Sequence, residues 1–504
     1  MSNYLDSYLY ILIQIIILGE IMEENKTLIN FINNEISTVP ISLNDKISIN
    51  NKRFLHREEF YEIKSFIDDF LEGYTNNRYI ILPGLRGVGK TTILYQLYDY
   101  LLKERNIKQN QILYLSCEAL NDRFQFKILD VIECFLKYHH NSNLRTLDKK
   151  IFLFIDESQY DYNWALSGKI IHDSSNNVFM IFTGSSALNL EYNADSARRL
   201  IKRNVTPLNF GQYLKLKYDF RINGISDALI DLIFKGETEN AINCERYINS
   251  NLYNIEAYTD NEWDNFLLYG GFPISFYERA PNIISEKLKD IVKKVVISDM
   301  NSIGSISNGS QVNSVRLLNF LALQKPGDVS QNKIANYLNA SSTTIKNILD
   351  LLEKTHLLFH IEPYGSASKR TKKSWKYYFA SSSLRHSLVM DLGNTFRDSN
   401  AYRGILLENL VASEFFNLSV RKNMQFNVFF DDEDEKKSVD FILQEGFNKP
   451  IPIEVGIGKK DKKQVKNAIN RLNSDFGIVI SNAKTLIEKE DDVIFISPKI
   501  FSFM

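Results

Sequence analysis

An apolar run, Ile80–Pro83, leads into Gly84-Leu85-Arg86-Gly87-Val88-Gly89-Lys90-Thr91, and an apolar-faced stretch from Thr92 to Leu101 follows. The octapeptide meets every fixed position of the spacing G-x-x-x-x-G-K-[ST]. That spacing constrains the fold strongly, because it works where a buried strand turns sharply into a helix. The glycines let backbone N–H groups face inward around a triphosphate, and the helix N-terminus adds positive partial charge. Lys90 has the reach for the β- and γ-phosphates, and the Thr91 hydroxyl suits Mg2+. A plain Gly-rich turn before a helix is the alternative, and motif and flanks together weigh against it. Gly84, Arg86, Gly87, Val88, Gly89, Lys90, Thr91 and Thr92 are therefore the candidate nucleotide-contacting residues, with ATP and Mg2+ as expected ligands.

Strand and helix patterns alternate around this point. Strands are expected at Tyr79–Leu82, Gln111–Ser116, Ile151–Ile155 and Val178–Phe182, each short and rich in β-branched or aromatic residues. This is the pattern of an α/β fold with a parallel sheet covered by helices. The 504 residues allow about three or four domains of ordinary size. We divide them into a lead-in with a loop at Pro40 (1–50), an ATPase core (51–209), a helical lid (210–300), three short helices with a hairpin (310–380), and a mixed C-terminal part (400–504). With 60 basic residues against 61 acidic, no global field draws the chain to nucleic acid, and such binding needs a local patch. Cys117, Cys134 and Cys244 match no zinc or redox spacing and suit a reducing, cytoplasmic setting.

The apolar run Tyr8–Leu18 is short of the ~20 residues a membrane span takes, and it lacks the basic flank of a signal peptide. No membrane partner is expected. Leu18-Gly-Glu-Ile-Met22 back-translates to a purine-rich stretch before ATG, so translation is expected to start at Met22, leaving 1–21 untranslated. A membrane-surface or partner-binding helix is the alternative.

Ile151-Phe-Leu-Phe-Ile155-Asp156-Glu157 is an apolar run closed by two carboxylates. A buried strand ending at the carboxyl edge of a parallel sheet delivers both acids to the ligand crevice. Asp156 is expected in the Mg2+ shell and Glu157 as the general base for attacking water. Val178–Phe182 runs into Thr183-Gly184-Ser185-Ser186, where a hydroxyl either orients that water or satisfies a turn. Arg198 and Arg199 either reach the γ-phosphate or lie as surface charge.

In this order the motifs resemble a bacterial and archaeal family of AAA-type ATP-binding proteins with a C-terminal domain of restriction-endonuclease-like fold. The resemblance runs from about residue 50 to about residue 485. It rests on Arg57-Glu58, the phosphate loop, Ile155-Asp156-Glu157-Ser158-Gln159, Thr183-Gly184-Ser185-Ser186 and Ala197-Arg198-Arg199. Pro207-Leu-Asn-Phe210-Gly-Gln-Tyr213-Leu, Gly270-Gly271-Phe272-Pro273 and the C-terminal motifs complete it. It implies that Thr183 or Ser185 is a sensor residue. It also implies that Arg198 or Arg199 contacts nucleotide, across a subunit interface if the chain forms a homo-oligomer.

Val315–Leu323, Gln331–Leu338 and Thr343–Glu353 read as three short helices, with Ser341 or Ser342 capping the third. Strands at His356–Glu362 and Ser374–Phe379 follow, enclosing a basic tip. The set looks like a winged helix-turn-helix. Thr343, Thr344, Lys346 and Asn347 would face a major groove, and Ile345, Ile348, Leu349 and Leu352 the core. Lys369, Arg370, Lys372, Lys373 and Lys376, interleaved with Trp375 and Tyr377, make a local positive patch suited to DNA phosphates. Domain packing with solvated lysines is the alternative.

In the C-terminal part, Glu408 lies on an expected helix (Gly404–Asn417), Asp440 at a strand start, and Glu454 in Ile451-Pro-Ile-Glu454-Val-Gly456. An acid on a helix with D…E-x-K on adjacent strands is how restriction-like nucleases hold Mg2+ and activate water. Here Gly456 replaces the lysine, and Lys459 or Lys460 substitutes only if the chain bends back. The three carboxylates are a candidate second metal site in a domain expected to be degenerate. The acidic run Asp431–Glu435 reads as a solvated turn.

The expected whole is a P-loop, AAA-type ATPase with a helical lid, a winged helix and a restriction-endonuclease-like α/β domain. Its nucleotide state would control nucleic-acid- or partner-binding C-terminal domains. An ATP-gated nuclease of a defence or mobile-element system and a non-hydrolysing nucleotide-binding scaffold are the alternatives.

Overall fold

Short runs of aliphatic and aromatic residues with no polar alternate position form strands covered on both faces. The computed structural model describes residues 26–123, 126–184, 198–303, 307–327, 330–390, 400–434, 437–458 and 460–504. It sets four such runs side by side: β1 (Tyr79–Pro83), β2 (Ile112–Ser116), β3 (Ile151–Asp156) and β4 (Val178–Gly184). The two-residue β5 (Ile201–Lys202) completes a parallel sheet in the order β2-β3-β4-β1-β5. Every residue of β1, β3 and β4 is buried. Helices α1 (Glu58–Glu72), α2 (Lys90–Lys103), α3 (Ile128–His140) and α4 (Trp164–Ser174) belong to the same unit. Leu113, Ile132, Phe135, Leu153, Trp164 and Phe182 share its core. Because the strands are parallel, the ends of β1 and β3 emerge at one sheet edge, separated by β4.

The lead-in helix runs unbroken over residues 26–47, where a loop at Pro40 was expected. A proline inside a helix orphans the carbonyl four residues back. That carbonyl, Ile36 O, instead accepts a hydrogen bond from Gln109 Nε2. Tyr8–Leu18 and the start at Met22 lie outside the described residues, as do Ser185 and Lys459.

The second unit takes Gly84–Gly89 and the chain from Asn204 onward. It opens with α5 (Phe210–Tyr218), whose capping box pairs the Asn209 side chain with Gln212 N at 2.7 Å and Gln212 Oε1 with Asn209 N at 3.2 Å. Further on, α6 (Pro281–Lys294) continues through a π-helical turn, Val295–Asp299. The three expected helices are α7 (Asn308–Leu323), α8 (Gln331–Leu338) and α9 (Ser342–Lys354). Ser341 is the cap of α9, its Oγ accepting from Thr344 N at 3.0 Å.

The hairpin strands are β6 (Leu358–Pro363) and β7 (Lys376–Phe379), and their connection carries a short helix, α10 (Ala367–Lys372), capped by Ser366. After α11 (Ser382–Val389) and the long α12 (Asn400–Lys422) come β8 (Asn427–Phe430), β9 (Phe441–Gln444), β10 (Ile451–Val455), α13 (Lys463–Leu472), β11 (Gly477–Ile480), β12 (Glu488–Glu490) and β13 (Val493–Ile496). These strands and the hairpin form one eight-stranded sheet, β12-β13-β11-β10-β9-β8-β6-β7. The junction is parallel, Phe429 opposite Glu362 and Phe430 opposite Pro363.

The acidic run departs from the expected solvated turn. Asp431 is buried, accepts from Val439 N at 3.1 Å and is bonded by Arg471, while Asp432 pairs with lysines of the hairpin connection. Among the described residues, no helix is long and apolar enough to cross a membrane.

Candidate nucleotide-binding site

The loop after β1 needs its glycines for measurable reasons. Gly87 and Gly89 have φ of +81° and +104°, a region costly for residues with a Cβ. A Cβ on Gly84 would stand 2.2 Å from Val205 O, and one on Gly87 2.6 Å from Ile291 Cδ1. Arg86 turns to Asp299, Nε to Oδ1 at 3.1 Å. Lys90 and Thr91 begin α2, and Lys90 is buried.

In the first unit, Asp156 closes β3 and gathers three hydroxyls. Thr91 Oγ1 and Tyr114 Oη donate to its Oδ2 at 2.8 and 2.9 Å, and Thr183 Oγ1 donates to Oδ1. Burial, and after it the neighbouring Glu157 charge, pushes the Asp156 carboxyl above its ordinary range. Glu157 sits in the left-handed region (φ +53°), where its N–H donates to Thr183 Oγ1 at 3.1 Å. That conformation is costly for a non-glycine residue and clusters at functional positions. Gln159 Nε2 holds Glu157 Oε2 at 2.5 Å.

The structure thus joins Thr91, Asp156, Thr183 and Glu157. It adds two residues the sequence reading did not assign, Tyr114 and Gln159. The signal for Tyr114 was a phenol between two leucines in the middle of a buried strand; Gln159 stands two residues after Glu157 and had no role from sequence. Arg198 is exposed, and Arg199 Nε donates to Asp173 at 2.7 Å.

In the second unit, Glu408 Oε1 accepts from Tyr378 Oη at 2.8 Å and has Lys376 Nζ 3.8 Å away. Asp440 Oδ2 accepts from Val455 N at 2.7 Å, and burial, with the Glu454 and Glu408 charges, raises its carboxyl to about 8. The chain after Glu454 does bend back. Lys460 Nζ donates to Glu454, and a Cβ on Gly456 would meet Lys460 Cγ and Cε at 2.6 Å. Among the described residues, no three acidic, His or Cys side chains form a group that could hold a metal ion.

On α9, Thr343, Lys346 and Asn347 are exposed and Ile345, Ile348, Leu349 and Leu352 buried. The basic patch is largely matched by acids and rings. Lys369 and Lys373 lie 3.6 and 3.1 Å from Asp432, Arg370 sits 4.4 Å over the Phe429 ring, Trp375 stacks on His360 at 3.9 Å, and Gln331 Nε2 bonds Tyr377 Oη at 3.1 Å.

The AAA domain family matches residues 76–214, and two families described as domains of unknown function, DUF8612 and DUF4143, match 260–395 and 403–501. The uncharacterized protein MJ1637 of Methanocaldococcus jannaschii is 30% identical over 497 residues, 98% of this chain and 97% of its own. MJ1544 of the same organism is 22% identical over 426 residues, 82% of this chain and 83% of its own. The Walker-type ATPase PABY2304 of Pyrococcus abyssi aligns at TM-score 0.39 and 14% identity, over 66% of this chain and 95% of that one. The Aeropyrum pernix Orc1 protein in complex with DNA aligns at 0.31 and 11%, over 69% and 96%. Both scores are too low to carry an argument. With a matched AAA domain, a parallel five-stranded sheet and a relative 30% identical and aligned over 97% of its length, the chain belongs to the family of AAA-type P-loop proteins with C-terminal domains of unknown function.

Proposed function

We propose that this protein binds ATP with Mg2+ and hydrolyses it, and that its nucleotide state controls C-terminal regions that bind nucleic acid or a partner. The hydrogen bond from Thr91 Oγ1 to Asp156 Oδ2 carries this reading, because it joins the two motif halves at the oxygen atoms a hard cation takes. Bound Mg2+ supplies charge neutralisation at the phosphates. The chain does the rest. Lys90 takes phosphate charge, Glu157 accepts the proton of the attacking water, and Gln159 fixes the Glu157 carboxylate. Thr183 spans the Asp156 carboxylate and the Glu157 N–H, setting one acid against the other. Arg198 or Arg199 is assigned to nucleotide contact, in a homo-oligomer from a neighbouring copy.

Lys460 pairs off Glu454 and Tyr378 engages Glu408, which supports binding over cutting for the C-terminal part. Phosphate release is the test. Wild type should turn over ATP, Lys90→Ala should lose nucleotide binding, and Glu157→Gln should bind but hydrolyse at least ~10²-fold more slowly. Equal phosphate release by wild type and Glu157→Gln overturns the hydrolytic assignment.

A further inference from the structure

The phosphate-loop motif leaves its third position open, and this chain fills it with an arginine. Phosphate cradling does not ask for that side chain, since backbone N–H groups and Lys90 do the holding. Arg86 is only 10% exposed, and it points at a carboxylate 213 residues further on that is 1% exposed, Asp299. A carboxylate so buried is costly unless it is paired and hydrogen-bonded.

Asp299 closes the π-helical turn that continues α6. One residue of extra winding turns every later side chain by about 100° relative to an α-helix. Such turns are rare and tend to occur at functional sites. Here the turn brings Asp299 to Arg86. The same helix crowds the next loop residue, since Ile291 Cδ1 stands 2.6 Å from where a Gly87 Cβ would be. Two consecutive positions of the phosphate loop are thus seated on α6 and its π turn.

We propose that Asp299 is a positioning residue for nucleotide binding: through Arg86 it fixes the curvature of Gly84–Gly89, and it makes α6 respond to an occupied loop. The proposal rests on the ATP-binding reading above. Linkage requires reciprocity: if α6 steadies the loop for phosphate, phosphate must steady α6 by the same factor.

The experiment combines titration of ATP with Mg2+ and hydrogen exchange of backbone amides, on wild type, Asp299→Asn and the doubly apolar Arg86→Met/Asp299→Leu. Asp299→Asn should bind ATP about tenfold more weakly, with turnover at saturating ATP within about twofold of wild type. In wild type, ATP should slow exchange across residues 288–299, and in both variants this protection should be lost. The apolar double variant restores a packed, uncharged contact. If it regains the wild-type melting temperature and also wild-type ATP affinity, the pair only supports the fold and the proposal is wrong. If wild type binds ATP and Asp299→Asn binds it equally, the positioning role alone falls. If wild type binds no ATP, the nucleotide reading falls and takes this inference with it.

Discussion

Glu414 shows how one side chain can set a pH response without entering any site. It lies within α12, 4% exposed, and burial raises its carboxyl to about 8 against an ordinary 4.5, with the Arg421 charge pulling the other way. The folded chain therefore keeps a proton that the unfolded chain releases. Between about pH 4.5 and about pH 8 the folded state binds more protons, so this group's contribution to stability declines as pH rises through that window. Glu414→Gln should flatten the decline and raise the melting temperature by several degrees at pH 8, with little change at pH 4.5; melting curves at both pH values check this. At this scale the candidate site was largely readable. Lys90 and Thr91 stand in a spacing with few other uses, whereas Asp156 and Glu157, two acids closing an apolar run, gain meaning only beside it. Tyr114 and Gln159 escaped because their importance comes from partners, Asp156 and Glu157, that only the folded chain brings to them.

Elements follow from caps and periods more than from composition. Ser341 begins α9 because its hydroxyl takes the Thr344 N–H that the helix leaves unpaired. Ser341→Ala should cost about 1 kcal/mol, seen as a lower denaturant midpoint with unchanged slope. The apolar period of α9 predicted its buried face correctly, Ile345, Ile348, Leu349 and Leu352. The four core strands were visible as short, mainly apolar runs, and three of them carry a polar residue at or beside their last position, Ser116, Asp156 or Thr183. What local pattern could not supply was outside help. Pro40 reads as a break until Gln109 arrives to take up the Ile36 carbonyl. The π turn at Val295–Asp299 has no signature in its own residues, and the partner of Asp299, Arg86, lies 213 residues away in sequence.

Across the molecule, near-zero net charge leaves recognition to local imbalance, and the basic patch of the hairpin shows how small that imbalance is. Asp432 holds two of its lysines. If this surface meets DNA, Asp432→Asn should release them, tightening binding and steepening its salt dependence by about one to two phosphate contacts; DNA titrations at several salt concentrations measure it, and an unchanged slope removes the patch from consideration. The eight-stranded sheet has a further consequence. The two families of unknown function that match this chain meet between residues 395 and 403, after β7 and before β8. Yet β6, on one side of that seam, is hydrogen-bonded to β8 on the other. Cutting the chain there would leave a raw strand edge on each piece, an invitation to mispairing. The two stretches are separable as text but share one sheet, and a boundary drawn between them by sequence passes through a hydrogen-bonded strand pair.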